Sequence, residues 1–279
     1  MEILRYVAFS TDPKGGNPAG VVLDATGADD ATMLATAAEV GYSETAFVVP
    51  SGDGSLDVRY FSPLAEVPFC GHATIATAVA HAERHGTGRL RLRTAAGPVT
   101  VTTDRAADGT LVATLVSVAP RTAPLEQADL DELLGILGWS AGDLDPALPP
   151  RAAFGGAWHP VIAAASRDRL AGGLDYDMAA LGALMARRDW TTIDLVWRES
   201  PTVFHARNPF PPGGVVEDPA TGAAAAAFGG YLRELGLVPV PATLTIHQGV
   251  DMGRPSTITV TVPAEADTGI GVTGAAVRI

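Results

Sequence analysis

The sequence has 279 residues, enough for one large domain or two of ordinary size. Its 31 Asp and Glu residues outnumber its 19 Lys and Arg residues, and the formal net charge of −12 disfavours nucleic acid and anionic membrane surfaces as partners. Hydrophobic residues make up 47% of the chain and charged residues 18%, so the composition predicts a packed core. The single cysteine, Cys70, excludes an intrachain disulfide and a zinc site built from several cysteines.

The N-terminal segment does not have the pattern of a secretory signal peptide, because Glu2 comes early and no long apolar stretch follows. No segment reaches the roughly 20 strongly apolar residues that a membrane-spanning helix needs. We therefore expect a cytoplasmic protein.

The predicted elements are short strands with a few helices between them. In chain order, the patterns predict a strand at 57–61, a helix at 73–84, strands at 90–94 and 99–102, helices at 129–137, 178–187 and 223–235, and a strand at 258–262. The helices at 73–84 and 223–235 are rich in alanine, and each ends near a glycine, Gly86 or Gly236. The stretch 138–160, rich in Gly, Pro and Ala, is predicted to be a long surface connection.

An internal repeat is the most informative feature of the organisation. EVPFCGHA (66–73) aligns with EDPATGAA (217–224) at an offset of 151, and Glu, Pro, Gly and Ala coincide. Each copy is followed by an alanine-rich helix and a strand region. The repeat predicts two similar halves whose helix N-termini face one cleft, where they would attract a carboxylate or an oxyanion.

Four side chains could carry chemistry, and three of them, all except Glu44, lie near these helix starts. Glu44 lies in an otherwise uncharged segment, where a desolvated carboxylate can exchange a proton near neutral pH, although an exposed or Arg-paired Glu fits the pattern too. His72 precedes a helix and could donate or accept a proton, or simply pack there. Asp218 could act in the site or cap the second helix. Cys70 could be a reactive thiol or a small packed residue.

The histidines do not predict a metal site. His81 and His85 are four residues apart on a predicted helix, but no Glu follows the first of them and no third ligand is evident. The chain also has no phosphate-binding loop, no dinucleotide-binding fingerprint and no nucleophile-elbow serine. We expect neither a cofactor nor a metal.

Several sequence blocks together resemble a known family. These are GNPAGVV (16–22), SETAF (43–47), CGHAT (70–74), EDPATG (217–222), and QG (248–249) with GRPS (253–256). In this order they look like the signature blocks of the phenazine-biosynthesis PhzF family, and they span nearly the whole chain.

This resemblance implies the diaminopimelate-epimerase-like fold, an α/β fold of two similar domains. Each domain is a curved, mostly antiparallel sheet around a central helix. The halves are expected at residues 1–118 and 119–269, with the active site in the cleft between them and the strand at about 270–279 returning to the first half. Members of the family are commonly homodimers.

The resemblance also implies an isomerase that moves a proton between carbons of a small carboxylate substrate without cofactor or metal. The family's catalytic glutamate, histidine and aspartate fall on Glu44, His72 and Asp218. Positions expected to contact the substrate are Cys70, Gly71, Thr221, Gly222 and Ala223.

One departure from the family pattern affects the substrate. The phenazine enzyme has a serine where this chain has Ala223, so a hydroxyl that can contact substrate is missing. A missing hydrogen bond of this kind shifts substrate preference by roughly 1–3 kcal/mol. Two alternatives stay open: a one-base epimerase, and a ligand-binding or scaffold protein without turnover. Racemisation by two thiols is excluded, because the counterpart of Cys70 in the second half is Thr221.

Overall fold

A computed structural model describes all residues, 1–279. The chain divides into two compact units, Met1–Val116 with Thr273–Ile279, and Ser117–Val272. The elements up to residue 116 are β1 (Leu4–Ala8), β2 (Asn17–Val22), α1 (Asp30–Val40), β3 (Thr45–Pro50), β4 (Leu56–Phe61), β5 (Glu66–Val67), α2 (Gly71–His85), β6 (Gly88–Thr94), β7 (Gly97–Arg105) and β8 (Leu111–Val116).

The elements after residue 116 form the second unit, except for the final strand. They are β9 (Arg121–Pro124), α3 (Gln127–Leu137), a 3-10 turn (Ala141–Asp143), β10 (Arg151–Phe154), β11 (Trp158–Ala163), α4 (Arg167–Ala171), α5 (Met178–Arg188), β12 (Asp194–Arg198), β13 (Val203–Phe210), a second 3-10 turn (Pro211–Gly213), β14 (Val215–Asp218), α6 (Gly222–Glu234), β15 (Ala242–Gln248), β16 (Ser256–Val262) and β17 (Gly271–Arg278).

The first unit is built around α2, whose residues 72–80 are all buried and which packs against β1, β2, β7 and β8. Small side chains allow this close approach of strands to the helix, because most buried positions of α2 are Ala or Thr. Helix α1 covers a separate apolar cluster that includes Met33, Phe47 and Phe61. β17 completes this unit by pairing antiparallel with β1.

The second unit repeats the arrangement around α6. Residues 224–232 of this helix are all buried, and the helix contacts β9, β10, β11 and β16. Helices α3 and α5 pack on another layer of apolar side chains, among them Leu133, Leu181 and Trp190. Most strand pairings in both units are antiparallel. The predicted α/β fold class is confirmed.

The predicted helices and strands are all present, with ends shifted by a few residues. The prediction of a surface connection at 138–160 is wrong, because this stretch contains β10 and the start of β11. The two alanines of β10, Ala152 and Ala153, are buried in the sheet. Helix α1 was not predicted, although Asp29 caps its N-terminus and Gly41 ends it in the left-handed conformation, at φ 72°.

Candidate active site

Two of the sequence blocks lie side by side because β2 pairs in parallel with β3. The amide of Gly20 donates to the carbonyl of Glu44, at 3.1 Å. A Cβ at Gly20 would lie 2.4 Å from the Thr45 hydroxyl, so only glycine allows the two strands to approach this closely. This contact fixes the backbone of Glu44 at the start of β3.

Buried hydroxyls fix the start of α2. Cys70 is the N-cap residue, and its carbonyl accepts a hydrogen bond from the hydroxyl of Thr74, at 2.6 Å. The hydroxyl of Thr74 is in turn 2.6 Å from that of Tyr60. Gly71 and His72 are therefore the first two residues of a helix whose first turn is held in place by these hydrogen bonds.

Glu44, Cys70 and His72 form one cluster, which we call the Glu–Cys–His cluster. The Cys70 thiol lies 3.4 Å from Glu44 Oε2 and 3.3 Å from His72 Nδ1. His72 Nε2 lies 3.4 Å from Glu44 Oε2 and 3.4 Å from the Ser43 hydroxyl. The side chains of His72 and Glu44 are only 8% and 17% exposed. A carboxylate, a thiol and an imidazole are thus close enough to exchange protons with one another or with a bound molecule.

The remaining predicted site residues lie in the second unit, at the start of α6. The Thr221 hydroxyl donates to Asp218 Oδ2, at 2.5 Å. Gly222 is the first residue of α6, and Ala223 follows as a half-buried residue. Thr221 occupies the N-cap position without donating or accepting a capping hydrogen bond through its side chain.

The start of α6 is held by Gln248, a buried side chain at the end of β15. Its amide oxygen accepts from the Thr221 amide, at 3.0 Å. Its amide nitrogen donates to the carbonyl of Asp218, at 2.8 Å, and to the Thr221 hydroxyl, at 3.0 Å. At Gly249, φ is 73° and a Cβ would lie 2.7 Å from the Pro219 carbonyl. The QG block (248–249) therefore holds the EDPATG block (217–222) in place through hydrogen bonds and close backbone packing.

A buried ion pair holds β14, the strand that ends at Asp218. Arg207 donates to both carboxylate oxygens of Glu217, at 3.0 and 2.6 Å, and both residues are about 6% exposed. Arg207 also donates to the Gly172 carbonyl, at 2.7 Å. Two-point contact between a guanidinium and a carboxylate fixes orientation as well as distance.

Sequence reasoning did not identify Gln248, Arg207 or Ser43 as parts of these sites. A signal existed for each: Gln248 and Ser43 belong to the quoted blocks, and Arg207 is a lone charge in a strand that is otherwise uncharged apart from a histidine. The distances could not be inferred, because each partner comes from a different element.

Further buried polar side chains lie on β11, β12 and β13 of the second unit. Asn208 faces Asp218 across the β13–β14 pair and donates to the Thr192 hydroxyl, at 3.0 Å. The same hydroxyl lies 2.8 Å from His159 Nδ1. Burial raises the pKa of Asp194 to about 7, with a hydrogen bond from Asn208 opposing the shift, and burial lowers the pKa of His159 to about 4.

No helix in this protein combines the length and apolar character needed to cross a membrane. The family model for phenazine biosynthesis-like proteins (PhzC-PhzF) matches residues 6–279. The chain belongs to this family.

Relatives and solved structures agree with the family assignment. The chain is 33% identical to trans-2,3-dihydro-3-hydroxyanthranilate isomerase of Pseudomonas fluorescens, over 89% of this chain and 86% of that protein. It is 35% identical to an uncharacterized isomerase of Mesorhizobium japonicum, over 91% of this chain and 88% of the relative. A PhzF-family crystal structure from Bacillus anthracis matches with a TM-score of 0.89 at 26% identity, covering 100% of this chain and 98% of that one. The predicted enzyme class, isomerase, is confirmed.

Proposed function

We propose that this PhzF-family protein moves a proton from one carbon to another on a small carboxylate substrate, with Glu44 as the acid and base. The observation that carries the proposal is the Glu–Cys–His cluster, which holds the carboxylate of Glu44 in a largely buried position beside a thiol and an imidazole. Partial removal of water strengthens the interaction of such groups with a substrate.

In the proposed reaction the Glu44 carboxylate takes a proton from a carbon of the substrate, and the bonding electrons spread toward the substrate's unsaturated or carboxylate group. The Glu44 carboxylic acid, whose proton can exchange with solvent at this stage, then protonates a second carbon, so no atom or electron is gained or lost overall. His72 and Asp218 orient the substrate and stabilise the charge that develops on it. No metal or cofactor has a role in this proposal.

The proposed substrate class, a small carboxylate, is supported by the similarity of this chain to isomerases of its family and by the starts of α2 and α6. Amide groups at the start of a helix favour a negatively charged group such as a carboxylate. Since Ala223 replaces the serine of the phenazine enzyme, we propose a substrate that does not need a hydroxyl contact there.

We also propose that the protein is a homodimer, which light scattering on the purified protein would test.

Solvent-deuterium exchange tests the role of Glu44. Wild type, incubated in deuterium oxide with cyclic and amino-acid-derived carboxylates, is expected to place deuterium on carbon of at least one of them. The panel includes trans-2,3-dihydro-3-hydroxyanthranilate, proline and diaminopimelate. Glu44→Gln should slow this exchange by roughly 10²–10⁴-fold, because the amide cannot accept the proton.

Glu39→Gln is the matched control, because Glu39 is exposed on α1 only five positions away, and its exchange rate should equal that of wild type. Undiminished exchange in Glu44→Gln would remove Glu44 from the mechanism. Exchange with inversion at a single carbon of proline or diaminopimelate would favour a one-base epimerase. Binding without exchange across the whole panel would favour a ligand-binding protein.

A further inference from the structure

The Glu–Cys–His cluster has the donor set and the spacing of a zinc site. Its three donor atoms, Cys70 Sγ, His72 Nε2 and Glu44 Oε2, are separated by 3.8, 3.4 and 3.4 Å. Zinc bonds of about 2.3 Å to sulfur and about 2.0–2.2 Å to nitrogen and oxygen place tetrahedral ligands about 3.3–3.6 Å apart. The separations differ from these values by no more than about 0.3 Å, but Cys70 Sγ lies 3.3 Å from His72 Nδ1 and 3.8 Å from Nε2, so the imidazole has to turn for Nε2 to bind an ion held by the thiolate.

We propose that these three side chains bind one Zn²⁺ ion, or another divalent ion that accepts a thiolate, and that the ion inhibits the enzyme. Thiolate, imidazole and carboxylate are all zinc ligands, and three protein ligands leave a fourth position for water or an anion. Binding would deprotonate the Cys70 thiol and release its proton. The Glu44 carboxylate would then be held by the ion and could not take a proton from carbon.

The sequence indicated no metal site because these ligands follow no local spacing. Glu44 directly precedes β3, whereas Cys70 is the N-cap residue of α2 and His72 lies in its first turn, and the fold of the first unit brings them together. The same helix carries the His81 and His85 pair, whose ring centroids are 4.4 Å apart. That pair supplies two nitrogens and no thiolate, so it serves as an internal control.

Co²⁺ in place of zinc gives a test that needs no enzyme assay. A thiolate bound to Co²⁺ produces a near-ultraviolet charge-transfer absorption, and Cys70 is the only cysteine in the chain, so that band reports this site alone. We expect one Co²⁺ per chelator-treated chain with the band, and displacement of the ion by Zn²⁺. Cys70→Ser should abolish the band, and His72→Gln should lower affinity at least about tenfold.

The His81→Ala, His85→Ala double variant should keep both the band and the affinity. Cobalt binding without the thiolate band, no binding at micromolar metal, or unchanged affinity in His72→Gln would overturn the proposal, and His72→Gln decides the matter if Cys70→Ser misfolds. Inhibition by the metal rests on the proposed function, whereas binding does not. A wild-type protein that shows the band but exchanges no deuterium would therefore contradict the proposed function alone.

Discussion

Gln248 shows how much of the local structure can depend on one side chain. It makes three hydrogen bonds, two of them to backbone groups, within the four residues Asp218 to Thr221. The side chain is 1% exposed, so water cannot replace those bonds if it is removed. The hydrogen-bond partners of Gln248 could not be deduced from the QG motif, because only the fold brings the end of β15 to this segment.

Replacing Gln248 by Leu should lower the free energy of unfolding by about 1–3 kcal/mol, because the Thr221 amide and the Asp218 carbonyl lose their partners at similar side-chain volume. Urea unfolding measures the change. The only other glutamine, Gln127, bonds to Asp131 on the surface of α3. Gln127→Leu should stay within about 0.5 kcal/mol of wild type, and equal losses in the two variants would contradict the role assigned to Gln248.

At the scale of elements, the two central helices were predictable and their surroundings were not. Alanine-rich runs ending near Gly86 and Gly236 marked α2 and α6 by local signals. β10 escaped prediction because its residues, Arg151–Phe154, form a strand only through pairing with β9 and β11. Glu44 and His72 could be named as candidates from the sequence. Their contact could not be predicted, because it too depends on elements that only the fold brings together.

The packing of α6 leads to a test with two glycines inside helices. A Cβ at Gly230 would lie 2.3 Å from the ring of Pro120, whereas one at Gly182 on α5 would lie 3.5 Å from Pro211, an ordinary contact. Helix propensity favours Ala over Gly equally at both sites, by about 0.8–1.0 kcal/mol. We expect Gly182→Ala to raise the melting temperature and Gly230→Ala to lower it, at a cost of about 1–3 kcal/mol. A rise in both variants would show that Pro120 moves aside.

At the scale of the whole molecule, stability should depend on pH through buried groups in the second unit. The pKa of Asp194 is about 7 in the folded protein against an ordinary value of 3.8, so folding favours its protonated form. Its stabilising contribution is complete below pH 3.8 and is lost as the pH rises toward 7. His159, whose pKa falls from 6.5 to about 4, contributes the opposite slope between those values.

Because the two slopes oppose each other, a difference between variants is needed to separate them. The free energy of unfolding of Asp194→Asn, minus that of wild type, should rise by about 1.4 kcal/mol per pH unit between about pH 4 and 7. Denaturant unfolding at several pH values in this range measures it. The corresponding difference for Asp175→Asn, an exposed aspartate, should be flat. A flat difference for Asp194→Asn would mean that Asp194 is ionised in the folded protein.

The pairing of β17 with β1 has a consequence for synthesis on the ribosome. β1 lies between β2 and β17, with Tyr6 opposite Arg278 and Ala8 opposite Ala276. β1 is therefore synthesised long before its partner β17, and until β17 pairs with it one edge of β1 has unpaired amides and carbonyls. Unpaired strand edges are where nascent chains associate wrongly, so we expect the growing polypeptide to depend most on chaperones during this interval.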